Sequence, residues 1–380
     1  MKLHDDGASG GPRPEARSGW WAKFPLRTEH VFLNWLLLFV PVALVLEFVA
    51  GVPPLMMFAL AALGIIPLAG VLGEATEDLA SHLGQGLGAL LNATMGNATE
   101  LIIAIFALRA GHAEVVKASL SGSIIGNILL VLGLSVLVGG WKRDKQTFSR
   151  QSAAVNSTML FIAVVALVMP AVFGLSVFGH FSEHGPLIER MSLWTSAVLI
   201  IVYLLSLRFA FGTHAEKHEV VVKSERSARS ALIALILATI LIAVLSEILV
   251  AQIDATRQAL GLSELFLGVI VIAIVGNAAE HGTAVIMAKR DKMDLSLGIA
   301  IGSSAQIALL VAPLLVILSW MMGKPMSLVF VPLEITGIAL AVLVVEMISS
   351  DGETTWFEGI QLLAVYLILA VAFYFVPSAG

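Results

Sequence analysis

Apolar runs of about twenty residues recur along nearly the whole chain, and that is the length an α-helix needs to cross the hydrocarbon core of a bilayer. The runs are continuous rather than alternating, which favours helices over the short, dyad-patterned strands of an outer-membrane barrel. Composition agrees: 58% of the 380 residues are hydrophobic and 13% charged, whereas a soluble domain carries about 25% charged residues. So few charges cannot cover a water-facing surface. Spans are predicted over 31–51, 54–74, 88–108, 115–139, 152–173, 193–211, 230–251, 263–288, 294–321, 327–348 and 358–376. The chain is therefore expected to be an all-α polytopic membrane protein with about eleven transmembrane helices.

Residues 1–29 are polar and read as a cytoplasmic tail, with Trp20, Trp21 and Phe24 placed either at the membrane interface or in a simple linker. The stretch from Glu74 to Gly86 is polar but continuous with the second span; it either extends that helix or lines a wet cavity. Lys and Arg set the orientation. With the N-terminus inside, 17 of the 22 basic residues fall on the cytoplasmic side: Lys2, Arg13, Arg17, Lys23 and Arg27 in the tail, then those in 140–151, 208–229 and 289–292. Asp351 and Glu353 lie in a loop that this arrangement also places inside, and an odd span count puts the C-terminus on the opposite side. A bacterial inner membrane is the expected location. The net charge of −5 and the scattered basic residues do not suggest a nucleic-acid partner. There is no cysteine, so disulfides and thiolate metal sites are excluded. His82, His112, His180 and His184 read as loop or interfacial residues.

An internal repeat organises the spans. GNATE at Gly96–Glu100 returns as GNAAE at Gly276–Glu280. The same offset relates Gly88 to Gly268, Gly122-Ser123 to Gly302-Ser303, and Leu129–Val131 to Leu309–Val311. The third span thus maps onto the eighth and the fourth onto the ninth. A shift of five spans is odd, so the second copy enters the membrane the other way round, an architecture that recurs in secondary transporters. The expected divisions are a tail at 1–29, an extra N-terminal helix at 30–52, a first inverted repeat at 53–211, a cytoplasmic linker at 212–229 and a second inverted repeat at 230–377.

Glu100 and Glu280 fall inside apolar runs, where an ionisable group costs about 2.5–3.5 kcal/mol on insertion scales. Such a group must face protein or water, be protonated, or hold a cation. Asn97 and Asn277 each precede a glutamate by three positions, which places amide and carboxylate on one helical face. The pseudo-symmetry brings the two faces together near the midplane. Two carboxylates and two amides make an all-oxygen site of formal charge −2, suited to a hard divalent cation and to Ca2+ most of all. Gly96 and Gly276 precede the amides and allow a helix break that offers carbonyls as further ligands. An empty pair crosses an apolar barrier most cheaply when protonated, so the same site takes either the cation or protons. Glu74, Glu77 and Glu247 are candidate outer waypoints, or solvated helix ends. His281 is either a proton-sensitive gate or a packed residue. Ser304 and Gln306 on the ninth span join the pathway candidates, with Ser123, Asn127 and Ser303 serving either the site or ordinary helix packing.

The segments LLNATMGNATELIIAIFAL from Leu90 and SELFLGVIVIAIVGNAAEH from Ser263, with SGSIIGNILLVLG and IGSSAQIALLVAP after them, resemble the calcium/proton exchanger (CAX) family of the cation/calcium exchanger superfamily. The resemblance covers about 70–377. It implies eleven helices, Ca2+ efflux driven by proton entry, Glu100 and Glu280 as central ligands, and Asn97, Asn277 and nearby carbonyls completing the site. It also implies that Glu74 or Glu77, and Glu247, match the family's acidic residues on the second and seventh spans. The family's long acidic stretch between halves has no counterpart in 212–229. Ca2+ and H+ are then transported ions, no resident cofactor is expected, the lipid bilayer is the surrounding partner, and a homo-oligomer is left open. A Na+- or K+-coupled exchanger of the same fold is the alternative. An intramembrane metal-dependent enzyme is a weaker one, because the chain has no HExxH or Ser/His constellation.

Overall fold

The computed structural model describes residues 31–179, 185–213 and 226–377. The predicted tail with its aromatic and basic residues, His180 and His184, and most of the 212–229 linker lie outside these residues. Among the described residues ten helices are long and apolar enough to span a bilayer: α2 (Pro54–Leu83), α3 (Leu90–Ala110), α4 (Ala113–Gly140), α5 (Ala153–Phe178), α6 (Pro186–Phe209), α7 (Ala228–Ala251), α8 (Glu264–Lys289), α9 (Met293–Met321), α10 (Pro332–Ser349) and α11 (Trp356–Tyr374). They form two five-helix halves, α2–α6 and α7–α11.

The predicted first span is the exception. The segment α1 (Asn34–Leu46) is too short to cross as a straight helix: 13 residues rise only about 20 Å against a core of about 30 Å. A turn at Leu37-Leu38 interrupts it, and the chain leaves the helix before Gly51 (φ +84°) and Pro53-Pro54. Elsewhere the helices outrun the apolar windows. α2 continues through the polar Glu74–Leu83 stretch until Gly84 (φ +78°) ends it. Residues 327–331, predicted to begin the tenth span, are instead non-helical, and α10 starts at Pro332.

The repeat-related helices α4 and α9 are the most enclosed, with 78% and 67% of their apolar windows buried, while α6 and α11 are the least, at 22% and 28%. The core of the molecule is therefore built on α4 and α9, and α6 and α11 form its lipid-facing flanks. α7 packs along α2, α4 packs against α8, and α11 covers the C-terminal end of α4. Two-residue strands β1 (Gln146–Thr147) and β2 (Glu353–Thr354) pair antiparallel, and Lys145 Nζ lies 2.7 Å from Glu353 Oε1. The α4–α5 and α10–α11 loops thus lie on one face of the molecule.

Candidate functional site

The two copies of the glutamate motif adopt different backbones. In the first, α3 is broken. The helical piece Gln85–Met95, here α3a, ends at Gly96-Asn97, and α3b (Ala98–Ala110) restarts with Glu100 in its first turn. The partial positive charge of that helix start faces the carboxylate. In the second, α8 runs unbroken through Gly276–Glu280 after a π-helical turn at Leu267–Ile272. Gly96 therefore supplies the predicted break and Gly276 does not. Further π turns lie at Gly126–Val131 in α4 and Ile307–Val311 in α9; such turns are frequent at functional sites.

The carboxylates cross over between halves. A methyl group at Gly276 would sit 3.1 Å from Glu100 Cγ and 3.8 Å from its Oε1, and one at Gly96 would sit 3.9 Å from Glu280 Oε1. Each glutamate lies against the glycine that opens the other copy of the motif, and the two carboxylates interact electrostatically. Glu100 is 9% exposed, and its oxygens accept no hydrogen bond from any other described residue. Glu280 Oε2 accepts one from Ser303 Oγ at 2.5 Å.

The amides are already committed. Asn97 Nδ2 donates to Gln306 Oε1 at 2.7 Å, and Ser303 Oγ lies 3.2 Å from Asn97 Oδ1, so this side chain fastens α3 to α9. Asn277 Nδ2 donates to Ser123 Oγ at 2.7 Å and to Ala273 O at 2.8 Å, while its Oδ1 accepts from Asn127 Nδ2 at 3.3 Å. That side chain fastens α8 to α4. The repeat-related serines Ser123 and Ser303 both serve the site. Their pairing in the repeat was the signal that marks Ser303, rather than Ser304, as the functional position.

A cavity of about 580 Å3 reaches this centre from one face. Gly96, Thr99, Gly276, Glu280, Ser303 and Gln306 line its inner part. Glu74, Glu77, Arg290 and Asp294 line it near the helix ends. Both readings of the polar Glu74–Gly86 stretch therefore hold in part, since it extends α2 and also contributes cavity wall. Arg226, where the linker rejoins the described chain, lies 3.9 Å from Glu74 Oε2 and 3.4 Å from Asp78 Oδ2. Thr99, Arg290 and Asp294 were not singled out by the sequence.

Three predicted positions sit elsewhere. Glu247 is exposed on α7 and does not line the cavity. Ser304 Oγ turns to Ala300 O (2.9 Å) and Ile124 O (3.4 Å). His281 diverges from Glu280, as adjacent helix positions do, and its Nε2 lies 3.2 Å from Asn127 Oδ1. Among the described residues no three His, Asp or Glu side chains cluster around one point. The acidic centre is thus two carboxylates supported by neutral amides, hydroxyls and backbone.

The pattern of the sodium/calcium exchanger protein family matches residues 53–212 and 230–375. The Ca(2+)/H(+) antiporter of Synechocystis sp. is 45% identical over 342 residues, covering 84% of this chain and 91% of that protein. The Ca(2+)/H(+) antiporter ChaA of Bacillus subtilis is 44% identical over 331 residues, 85% of this chain and 93% of its own. The structure of native YfkE superimposes with a TM-score of 0.79 at 41% identity, covering 91% of this chain and all of that one. The H+/Ca2+ exchanger CAX shares the fold, with a TM-score of 0.69 over 92% of each chain at 16% identity.

Proposed function

This chain belongs to the sodium/calcium exchanger protein family, and from that premise we propose that it is a secondary active antiporter exchanging Ca2+ for protons at the Glu100–Glu280 centre. The observation that carries the reading is the Glu100 carboxylate, which is enclosed at membrane depth, supported by no donor from another described residue and set close to a second carboxylate. A group in that position is tolerated when a cation or a proton neutralises it. Ca2+ accepts the irregular oxygen set of two carboxylates with backbone and hydroxyl oxygens. When the cation leaves, protons take its place, and because the two occupancies exclude each other, a gradient of one drives the other.

The chain is a multi-pass membrane protein, and its N-terminus is cytoplasmic in this reading. The cavity then opens to the cytoplasm, since Glu74, Arg290 and Asp294 lie at helix ends on that side. Pairing of Lys145 with Glu353 supports placing the acidic 350–355 loop there too, beside the basic loop it neutralises. The divisions 53–211 and 230–377, the linker 212–229, and an inner-membrane location belong to the same proposal. Gly96, Gly276 and Thr99 contribute oxygens nearest the carboxylates, while Asn97 and Asn277 hold the helices that carry them. Uptake of 45Ca2+ into proteoliposomes tests this. It should follow an imposed pH gradient in Na+- and K+-free buffer, and uptake that ignores the pH gradient, or that needs Na+ or K+, overturns it.

A further inference from the structure

The repeat should give every helix contact a counterpart in the other half, and one contact lacks it. On the side away from the cavity, α4 is sealed against the π-helical turn of α8. A methyl group at Gly122 would collide with the Val269 backbone, and one at Gly268 would collide with the Ala118 side chain and lie 2.8 Å from Val115 O. Only glycine permits that approach. Carried to the repeat-related positions, the same contact would join Gly302 to the backbone just after Gly88, and Gly88 to Gly298 and Leu295. In the structure it is not made. A methyl group at Gly298 or Gly302 would meet no atom within 4 Å, and Gly88 packs instead on the Ala80 backbone of α2. Among the described residues α3a makes no more than marginal contact with the N-terminal part of α9. The cavity occupies that gap, with Asn92 and Gly96 on one wall and Leu295, Gly298 and Ile299 on the other.

We infer that these glycines form two reciprocal gates: Gly122 and Gly268 seal the far side in this state, and Gly88, Gly298 and Gly302 are the vacant seat in which α3a closes the cavity side in the other. The inference rests on reading the chain as an exchanger, and it names the surfaces that exchange. α3a is built to move. It is an eleven-residue helix between Gly84, at φ +78°, and the break at Gly96-Asn97. Swinging it from α2 onto α9 would fill the cavity and bring the first half into the arrangement the second half now has. A small residue at 298 and at 302 has no packing reason in the present state, where a methyl group at either position would meet nothing.

The absence of native cysteine makes the test direct, because one introduced cysteine is the sole thiol. Leu295 is 49% exposed, and its repeat partner Val115 is 1% exposed. In the full-length protein reconstituted in liposomes, without Ca2+ or a pH gradient, L295C should react quickly with an impermeant methanethiosulfonate and V115C slowly. Adding G302A, which the present state accommodates, should protect V115C further, by about tenfold, because one methyl crowds the seat of the other state. Adding G122A should do the reverse, speeding V115C and slowing L295C. If G122A fails to fold, G302A decides alone: unchanged V115C labelling overturns the gate assignment. Since the readout uses neither Ca2+ nor protons, a failure of the Ca2+/H+ reading would leave these patterns intact.

Discussion

Ser303 is the side chain through which α9 reaches the acidic centre, and removing its hydroxyl gives a graded test of the geometry. The hydroxyl has one proton, and two acceptors lie within reach: Glu280 Oε2 at 2.5 Å and Asn97 Oδ1 at 3.2 Å. The shorter contact to a charge takes the proton. A hydrogen bond to a charged group contributes about 1.5–3 kcal/mol. Glu280 lines the cavity, so water replaces part of that on substitution, and the lower end applies. At about 1.4 kcal/mol per decade, S303A should raise the Ca2+ concentration for half-maximal exchange by about tenfold. The neighbouring Ser304 hydroxyl bonds backbone carbonyls within the α4–α9 packing, so S304A should stay within about threefold of the parent. Initial 45Ca2+ uptake into proteoliposomes at fixed pH gradient, measured across Ca2+ concentrations, reads both. An S304A effect as large as that of S303A would refute the placement of the ninth helix, and an S303A effect within threefold would refute the role of the bond.

Three further outcomes follow from the same geometry. E100Q and E280Q keep shape and remove one charge each, so each should drop 45Ca2+ exchange to the protein-free background while the protein still elutes as a single folded species in gel filtration. E74Q and E77Q weaken the attraction of the cavity mouth for cations, raising the half-maximal Ca2+ concentration about two- to fivefold at low salt and less at about 0.5 M salt, where such fields are screened; a salt-independent effect counts against a steering role. Lys117 is 2% exposed, 2.8 Å from Glu114, donates to Val329 O at 3.0 Å and interacts electrostatically with the buried Glu334, so K117M should destabilise the protein by about 3–5 kcal/mol in denaturant unfolding, and K117M/E334Q should recover part of it in a double-mutant cycle.

Much of this was legible in the residues because the constraints are local. A long apolar run has few fates, and two near-identical motifs at one fixed offset imply a shared role for Glu100 and Glu280. What was not legible depends on phase and on partners. Ser303 and Ser304 are one position apart, which turns a side chain by about 100°, and only the packing of α9 on α3 and α4 decides which of them faces the carboxylate. Glu247 carries the right chemistry on a face of α7 that looks away from the cavity. The amides of Asn97 and Asn277 looked like ligands because nothing in the motif reveals that Gln306, Ser123 and Asn127 already hold them. The break in α3 against the continuity of α8 is beyond any reading of GNATE and GNAAE, since near-identical words take both forms. The difference belongs to the conformational state.

The distribution of fixed charge explains why the centre can turn over. Among the described residues three carboxylates are buried: Asp78, Glu100 and Glu334. Asp78 has Arg226 at 3.4 Å. Glu334 accepts from Ser121 Oγ at 2.7 Å and from the Val331 amide at 2.9 Å, and it feels the charge of Lys117. Each of these two is neutralised permanently, as a buried charge that serves structure must be. Among the described residues Glu100 has neither a fixed cation nor a donor from another residue, and its near neighbour is a second carboxylate. A lysine or arginine within reach would stabilise the empty protein and occupy the place of the cargo. The centre therefore stays incomplete until an ion arrives, and that incompleteness is what allows one ion to be exchanged for another.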